Sequence, residues 1–379
     1  MAALRQAVGL AKAGVKVDIV GQGTLPATSR GDSITLWDAG LGKTITSSSR
    51  RAFYFKVLAF AVMAGIRGAG VVKKHPDIQV IHCHHASTVI AVRLLGPRRP
   101  LVLTIPDLPF RKTDPVGAAF ERGMRLVNNL IMERWGVAWV NHIVAVSPEI
   151  GRRLAEWGVE PSRLSVIMPI STDSFGALDE VAATRLLAKV GVSGEFILSV
   201  GDLMGRKRMD LLVRSMPEVE LGTTLVIVGR GPLRLSLVDE IAKNKLEGRV
   251  VLLDHVDTET LAALQQKARV SVLVSEREGL PAVLLESVRA GTPALYCTTS
   301  PVQVPSTDTY LRHVVTTSTA TIAREINTLI ASESATSWSR QGVREWAQRT
   351  FPSTEDACRR LKSIYAGLIE GTTGRTRVG

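Results

Sequence analysis

The chain has 379 residues, room for two domains of ordinary size, each with its own core. Hydrophobic residues make up 45% and charged residues 22%, a globular balance that excludes an intrinsically disordered chain. The formal charge of +12 is lopsided: residues 1–175 carry 22 Lys/Arg against 12 Asp/Glu, residues 176–379 carry 25 against 23.

Such asymmetry implies an anionic partner for the first half: a membrane surface, a phospholipid acceptor or nucleic acid. Nucleic acid is the weakest of these, since aromatics are only 5% and no helix-turn-helix, zinc-finger or RRM pattern occurs. Three widely spaced cysteines, Cys83, Cys297 and Cys358, make no disulfide framework and fit a reducing cytosol. The opening residues lack the long apolar core of a signal peptide.

In chain order, Met1–Ala13 has helical spacing, and Val15–Val20 is a strand. Residues 21–50 are rich in Gly, Ser and Thr, with one short strand, Ser33–Trp37. A helix over Ala52–Gly65 holds the most apolar run, Val57–Ile66, flanked by Lys56 and Arg67. Ten residues are too few to span a bilayer, which leaves a buried helix or one lying in the membrane interface. Ile78–His82 is a strand, followed by His82-Cys83-His84-His85, in which His82 and His84 share a face. A metal site needs further ligands of matching type, and none is close in sequence. Helix Val89–Leu95, strand Leu101–Ile105, helix Phe120–Val137, strand Ile143–Val146, helix Glu149–Trp157 and strand Leu164–Met168 complete an α/β alternation. The polar stretch Pro169–Phe175 is a linker.

A second alternating set follows, with strands Phe196–Val200, Thr224–Val228, Val250–Leu253, Val270–Val274 and Ala294–Cys297. The helices between them are Met209–Ser215, Pro232–Lys243, Thr258–Lys267 and Ala282–Arg289; the last two are Ser337–Gln348 and Thr354–Leu368. Arg206-Lys207-Arg208 is a basic turn after the first of these strands. The Gly229-Arg230-Gly231-Pro232 turn lacks the third glycine of a dinucleotide fingerprint, residue 234 being Arg, which argues against a nicotinamide cofactor. The stretch Val270–Pro293 is the most informative. A buried strand leads through Ser275-Glu276-Arg277-Glu278-Gly279-Leu280 to Pro281 and a helix. A helix start at the end of a parallel strand offers free N–H groups and a positive dipole to an anion. Glu278 and Glu286, eight residues apart, are then either two carboxylates for sugar hydroxyls or two solvated glutamates.

The run Glu278-Gly279-Leu280-Pro281 to Glu286, closed by Ala290-Gly291-Thr292-Pro293, resembles the signature of the retaining family 4 glycosyltransferases of GT-B fold. The resemblance implies an α/β fold of two doubly wound parallel-sheet domains facing across a cleft. It implies an acceptor-side domain over 1–175, a nucleotide-sugar domain over 176–350 and a crossover helix over 351–370; the short basic stretch 371–379 reads by itself as a disordered tail. Gly201–Lys207 is similar to the family's Gly-Arg-x-x-x-x-Lys segment, which makes Lys207 a diphosphate ligand, with Arg206 nearby. Gly229 and Gly231 line the nucleotide side, His255 and Val256 match the turn that meets the base, and Gly279, Leu280, Pro281 and Ala282 surround the donor. Glu286 binds the ribose, and Glu278 orients the sugar and steadies positive charge. His82, His84, His85 and Asp107 fall on the acceptor side. Neither metal nor cofactor is implied; the nucleotide-sugar is substrate.

The chain departs from the pattern in places. Asp202 holds the arginine position and Pro106 a histidine position, and members of the family usually start one strand earlier, with a Gly-rich loop. The activity implied is sugar transfer with retention to a saccharide or lipid-linked acceptor in cell-envelope glycan synthesis, in the cytoplasm or at the inner membrane face. The alternatives are a partner subunit without turnover and a nucleotide-sugar epimerase of the same architecture.

Overall fold

The computed structural model describes residues 2–21, 34–38, 50–106, 136–168, 178–276, 281–299, 305–307, 310–334 and 338–375. The chain divides into two compact units, one of residues 1–170 with 354–379, the other of residues 171–353.

The first unit begins with α1 (Ala2–Lys12), β1 (Val17–Gly21), β2 (Ile34–Asp38), α2 (Arg50–Lys74), β3 (Ile81–Cys83) and α3 (Ala86–Leu95). β4 (Leu101–Ile105), β5 (His142–Ala145), α4 (Pro148–Glu156) and β6 (Leu164–Val166) follow. All pairings are parallel, but the single open sheet expected from the alternation is two: β1–β2, and β3–β4–β5–β6. No described strand joins β1 to β3. One apolar cluster nevertheless serves both sheets. It joins Leu10 of α1 and Val17 of β1 to Val102, Val144 and Ile167, and to Ala357, Cys358 and Leu361 of α12 (Thr354–Arg375). Gly9 is required at the α1–α12 contact, where a Cβ would stand 2.6 Å from the Cys358 Sγ. α12 runs to Arg375, so the tail expected from 371 is helical for five residues more. α2 outruns the expected Ala52–Gly65 at both ends. Periodicity stops at Gly65, but that glycine is where α2 touches α3: a Cβ there would lie 2.6 Å from the Ala91 Cβ.

The second unit contains α5 (Glu180–Lys189), β7 (Phe196–Val200), α6 (Met209–Ser215), β8 (Thr224–Val228), α7 (Arg234–Lys243) and β9 (Val250–Leu253). It continues with α8 (Thr258–Lys267), β10 (Ser271–Ser275), α9 (Ala282–Arg289), β11 (Ala294–Thr298), β12 (Leu311–Val315), α10 (Thr319–Ser334) and α11 (Arg340–Thr350). α5, β12 and α10 are additions to the sequence reading. α10 is rich in Thr and Ser, and α5 and β12 are short with charged residues among the apolar ones; burial of Ala183, Leu311, Ile322 and Ile326 reveals the inward faces. The six strands form one parallel sheet, ordered β12-β11-β10-β7-β8-β9. β7, β8, β10 and β11 are buried along nearly their whole length, as expected of a sheet covered on both faces. Cys83, Cys297 and Cys358 are free and buried, and burial pushes the thiols of Cys83 and Cys297 up to about 12.

Candidate active site

The order of the second sheet dictates where a ligand fits. The chain enters at β7 and builds outward through β8 to β9, then returns to the other side of β7 with β10, β11 and β12. The loops leaving β7 and β10 therefore diverge from neighbouring strands, and the crevice between such loops is where open α/β sheets bind ligands. Lys207 is on the first of these loops, and the helix start at Pro281 follows the second.

The loop after β7 is fixed by backbone. Gly201 N donates to Val228 O at 3.0 Å, Leu203 N to Arg230 O at 2.9 Å, and Leu233 N to Leu203 O at 3.1 Å. These bonds press it against the Gly229–Leu233 turn. A Cβ on Gly229 would lie 1.9 Å from Gly201 O, and one on Gly231 2.4 Å from Leu203 O, so both positions demand glycine. The loop is tied to β10 as well: Glu276 N and Ser275 Oγ donate to Arg206 O at 2.8 and 3.1 Å.

A 3₁₀ turn over Gly205–Lys207 ends this loop, and Lys207 is buried at 8% exposure while Arg206 and Asp202 are exposed. The Lys207 stem passes about 3.5 Å from where a Gly201 Cβ would stand. Arg208 adopts the left-handed conformation at φ 39° and opens α6. Its guanidinium is engaged by Asp210, with Nε–Oδ1 and Nη2–Oδ2 both 3.2 Å, and this bond raises its pKa.

Pro281 stands at the N-cap of α9 rather than at its first helical position. Glu286 faces inward at 3% exposure and accepts from Gln265 Nε2 of α8 at 3.3 Å. Gln265, which sequence reasoning missed, is fully buried, and its backbone carbonyl accepts from Thr292 Oγ1 at 2.5 Å. Nothing in a lone glutamine within an amphipathic helix signals such a role; only its burial does. His255 and Val256 lie in the loop after β9, two strands from β7 at the same sheet edge, His255 exposed and Val256 packed on the core. Ala282 opens α9. Glu278, Gly279 and Leu280 lie outside the described residues, as does Asp107.

In the first unit the three histidines gather at the β3–α3 corner. His82 Nδ1 lies 3.1 Å from Gln6 Nε2 and 2.6 Å from Tyr365 Oη, and its Nε2 lies 2.7 Å from Thr104 Oγ1. With the Gln6 amide oriented so that Nε2 faces the ring, Nδ1 accepts and Nε2 carries the proton of a neutral imidazole. Burial, with His84 and His142 near, holds its pKa well below 6.5. His84 stacks on His82 at 4.8 Å, and burial pushes its pKa down to about 4. His85 caps α3, accepting from Ser87 N at 3.3 Å, with its pKa also lowered by burial. Pro106, the next described residue after β4, is exposed. No group of three His, Cys, Asp or Glu suited to a metal occurs among the described residues.

Doubly wound parallel sheets of this kind, with the switch point between β7 and β10, define the α/β architecture of the GT-B proteins. Two family models match, Glycosyltransferase Family 4 over residues 2–169 and Glycosyl transferases group 1 over residues 189–345. The chain belongs to the family 4 glycosyltransferases of GT-B fold. It is 24% identical over 240 residues to the N-acetyl-alpha-D-glucosaminyl L-malate synthase of Bacillus anthracis, covering 59% of this chain and 58% of that protein. It is 34% identical over 127 residues to the N-acetylgalactosamine-N,N'-diacetylbacillosaminyl-diphospho-undecaprenol 4-alpha-N-acetylgalactosaminyltransferase of Campylobacter jejuni, 33% of each chain. The chain spans between 28% and 58% of the length of the curated relatives it matches. The structure of Anabaena Alr3699/HepE in complex with UDP and glucose aligns with a TM-score of 0.72 at 15% identity, over 96% of this chain and 95% of that one.

Proposed function

We propose that this chain transfers a sugar from a nucleotide-sugar donor to a saccharide or lipid-borne acceptor, with retention of configuration. The observation that carries the reading is the switch point between β7 and β10, where the Lys207 loop is bonded to the end of the strand that leads into α9.

On this reading Lys207 and the first amides of α9 take the charge that grows on the departing diphosphate. Positioned cations and N–H groups in a partly buried site stabilise that charge more than water does. Glu286 accepts from the ribose hydroxyls, and Glu278 steadies positive charge on the sugar. His82, His84, His85 and Asp107 serve the acceptor side. The Anabaena structure's UDP and glucose and the Campylobacter relative's diphospho-undecaprenol substrate support a UDP-sugar donor and a lipid diphosphate acceptor. Such an acceptor draws the protein to the inner face of a membrane, and no helix among the described residues is long and apolar enough to cross one.

Calorimetry of the full chain against UDP-, GDP- and ADP-sugars tests the donor. Saturable heat with one of them, abolished in Lys207→Ala, is the expected result; no heat with any of them refutes the reading. Nucleotide diphosphate release that depends on added acceptor separates transfer from epimerisation, which needs none.

A further inference from the structure

The start of α11 is bonded to the carboxyl ends of α8 and α9, the two helices on which Gln265 and Glu286 meet. Arg340, its first residue, donates from Nη1 to Gln266 O at 2.6 Å and to Thr292 Oγ1 at 2.9 Å, and from Nη2 to Ala268 O at 3.1 Å. Arg344, one turn on, donates from Nε and Nη2 to Ala290 O at 3.3 and 3.1 Å. The approach is close: Gly291 has φ 88°, and a Cβ there would stand 2.8 Å from Arg340 O. Ser339 fixes the first turn of α11 by accepting from Gly342 N at 3.0 Å.

α8 ends at Lys267, so the carbonyls of its last turn have no partner inside the helix. Arg340 takes Gln266 O and, just beyond the helix, Ala268 O. Thr292 takes Gln265 O at 2.5 Å, the nearer of two carbonyls in reach, Ala268 O being at 3.3 Å. A hydroxyl has one proton, so Thr292 donates it to Gln265 O and accepts from Arg340. The result is one chain of bonds: Arg340 Nη1 to Thr292 Oγ1, Thr292 Oγ1 to Gln265 O, and Gln265 Nε2 to Glu286 Oε2 at 3.3 Å. Thr292, Gln265 and Glu286 are 0%, 0% and 3% exposed, so water cannot replace a lost member. The Gln266 side chain anchors the same turn, accepting from Leu178 N at 2.7 Å and donating to Leu178 O at 2.9 Å. A guanidinium suits this position, because its planar fork donates in several directions at once and a cation is favoured at a helix carboxyl end.

We propose that Arg340 is a positioning residue of the donor site: through Thr292 and Gln265 it fixes the Glu286 carboxylate that meets the ribose. The inference rests on the donor half of the proposed function. Arg340 acts through these groups and not on the substrate itself.

The test is a double-mutant cycle on the full chain, read as Kd by calorimetry with UDP-, GDP- and ADP-sugars. Arg340→Met raises the Kd of the sugar nucleotide that binds by about tenfold, within the range for residues of one network, and changes kcat less. Thr292→Val leaves the cation in place, removes the hydroxyl link and raises Kd likewise. Arg340→Lys, a point cation without the fork, recovers part of the loss. In a Gln265→Leu background Arg340→Met adds less than about twofold, because the route to Glu286 is already cut. Urea midpoints show that each variant is folded under the binding conditions; should Arg340→Met not be, Thr292→Val and Arg340→Lys carry the test. A merely structural arginine gives independent losses, so a double-variant Kd equal to the product of the two single effects overturns the proposal. Wild-type affinity in Arg340→Met and Thr292→Val overturns it as well. No heat from the wild-type chain with any of the nucleotides sinks the donor reading and this inference with it, whereas normal wild-type heat with independent losses sinks this inference alone.

Discussion

The buried amide of Gln265 donates to the carboxylate of Glu286 at 3.3 Å, and the bond fixes which way that carboxylate points. Glu286 is on α9 and Gln265 on α8, and both are nearly inaccessible, so neither side chain has room to reorient. In the proposed reading this makes Gln265 the positioning residue for the ribose contact.

Gln265→Leu leaves the Glu286 carboxylate short of a buried partner, a loss of about 1–3 kcal/mol. Donor KM or Kd is expected to rise by about 5- to 150-fold, with a smaller change in kcat. Gln265→Glu places two carboxylates together and is worse than the leucine. A wild-type donor Kd in both variants removes Gln265 from the site.

Lys207→Ala is expected to lower kcat by about 100- to 1,000-fold, the range for losing one preorganised charge-stabilising group. Lys207→Arg recovers only part of this, because the forked guanidinium does not fit where a point cation was buried. The far-ultraviolet circular dichroism of both stays native. Transfer at the wild-type rate by Lys207→Ala refutes the role.

Gly229→Ala tests the backbone of the crevice. Its Cβ would lie 1.9 Å from Gly201 O, so the β7 and β8 loops must part. Overpacking of this kind costs about 1–3 kcal/mol, or a few degrees in Tm at roughly 2–4 °C per kcal/mol. Differential scanning calorimetry reads the shift, and donor affinity falls with it, because the Lys207 loop is hung on those hydrogen bonds.

The histidine corner sets a pH dependence. His84, lowered from 6.5 to about 4, binds fewer protons folded than unfolded in that window, and His82 and His85 shift the same way. Their contribution to stability is therefore complete above pH 6.5 and is lost progressively as pH falls toward 4, by at most about 1.4 kcal/mol per unit per group. Urea midpoints taken from pH 7 to 4 are expected to fall. His84→Phe, which keeps a stacking ring without the titration, flattens the slope; an unchanged slope refutes the assignment.

What the sequence by itself determined is local. β4, β7, β8 and β9, and helices α6, α8 and α9, fall where hydrophobic runs and caps place them, because a buried strand or an amphipathic helix is written in its own residues. The donor-side candidates Lys207 and Glu286 were legible from the resemblance alone, their types and spacing matching a family pattern. Only the tertiary structure decided the rest. The split between β1–β2 and β3–β6 depends on which strand edges meet. The order β10-β7 creates the switch point, and no single strand encodes its neighbour. Gln265 meets Glu286 across 21 positions and Tyr365 meets His82 across 283. Those partners are chosen by packing after the elements form, so no window of neighbouring residues contains them. The long α2 shows the same division: its composition announced an apolar helix, and only its packing on α3 determined that the face from Val62 to Lys74 turns outward.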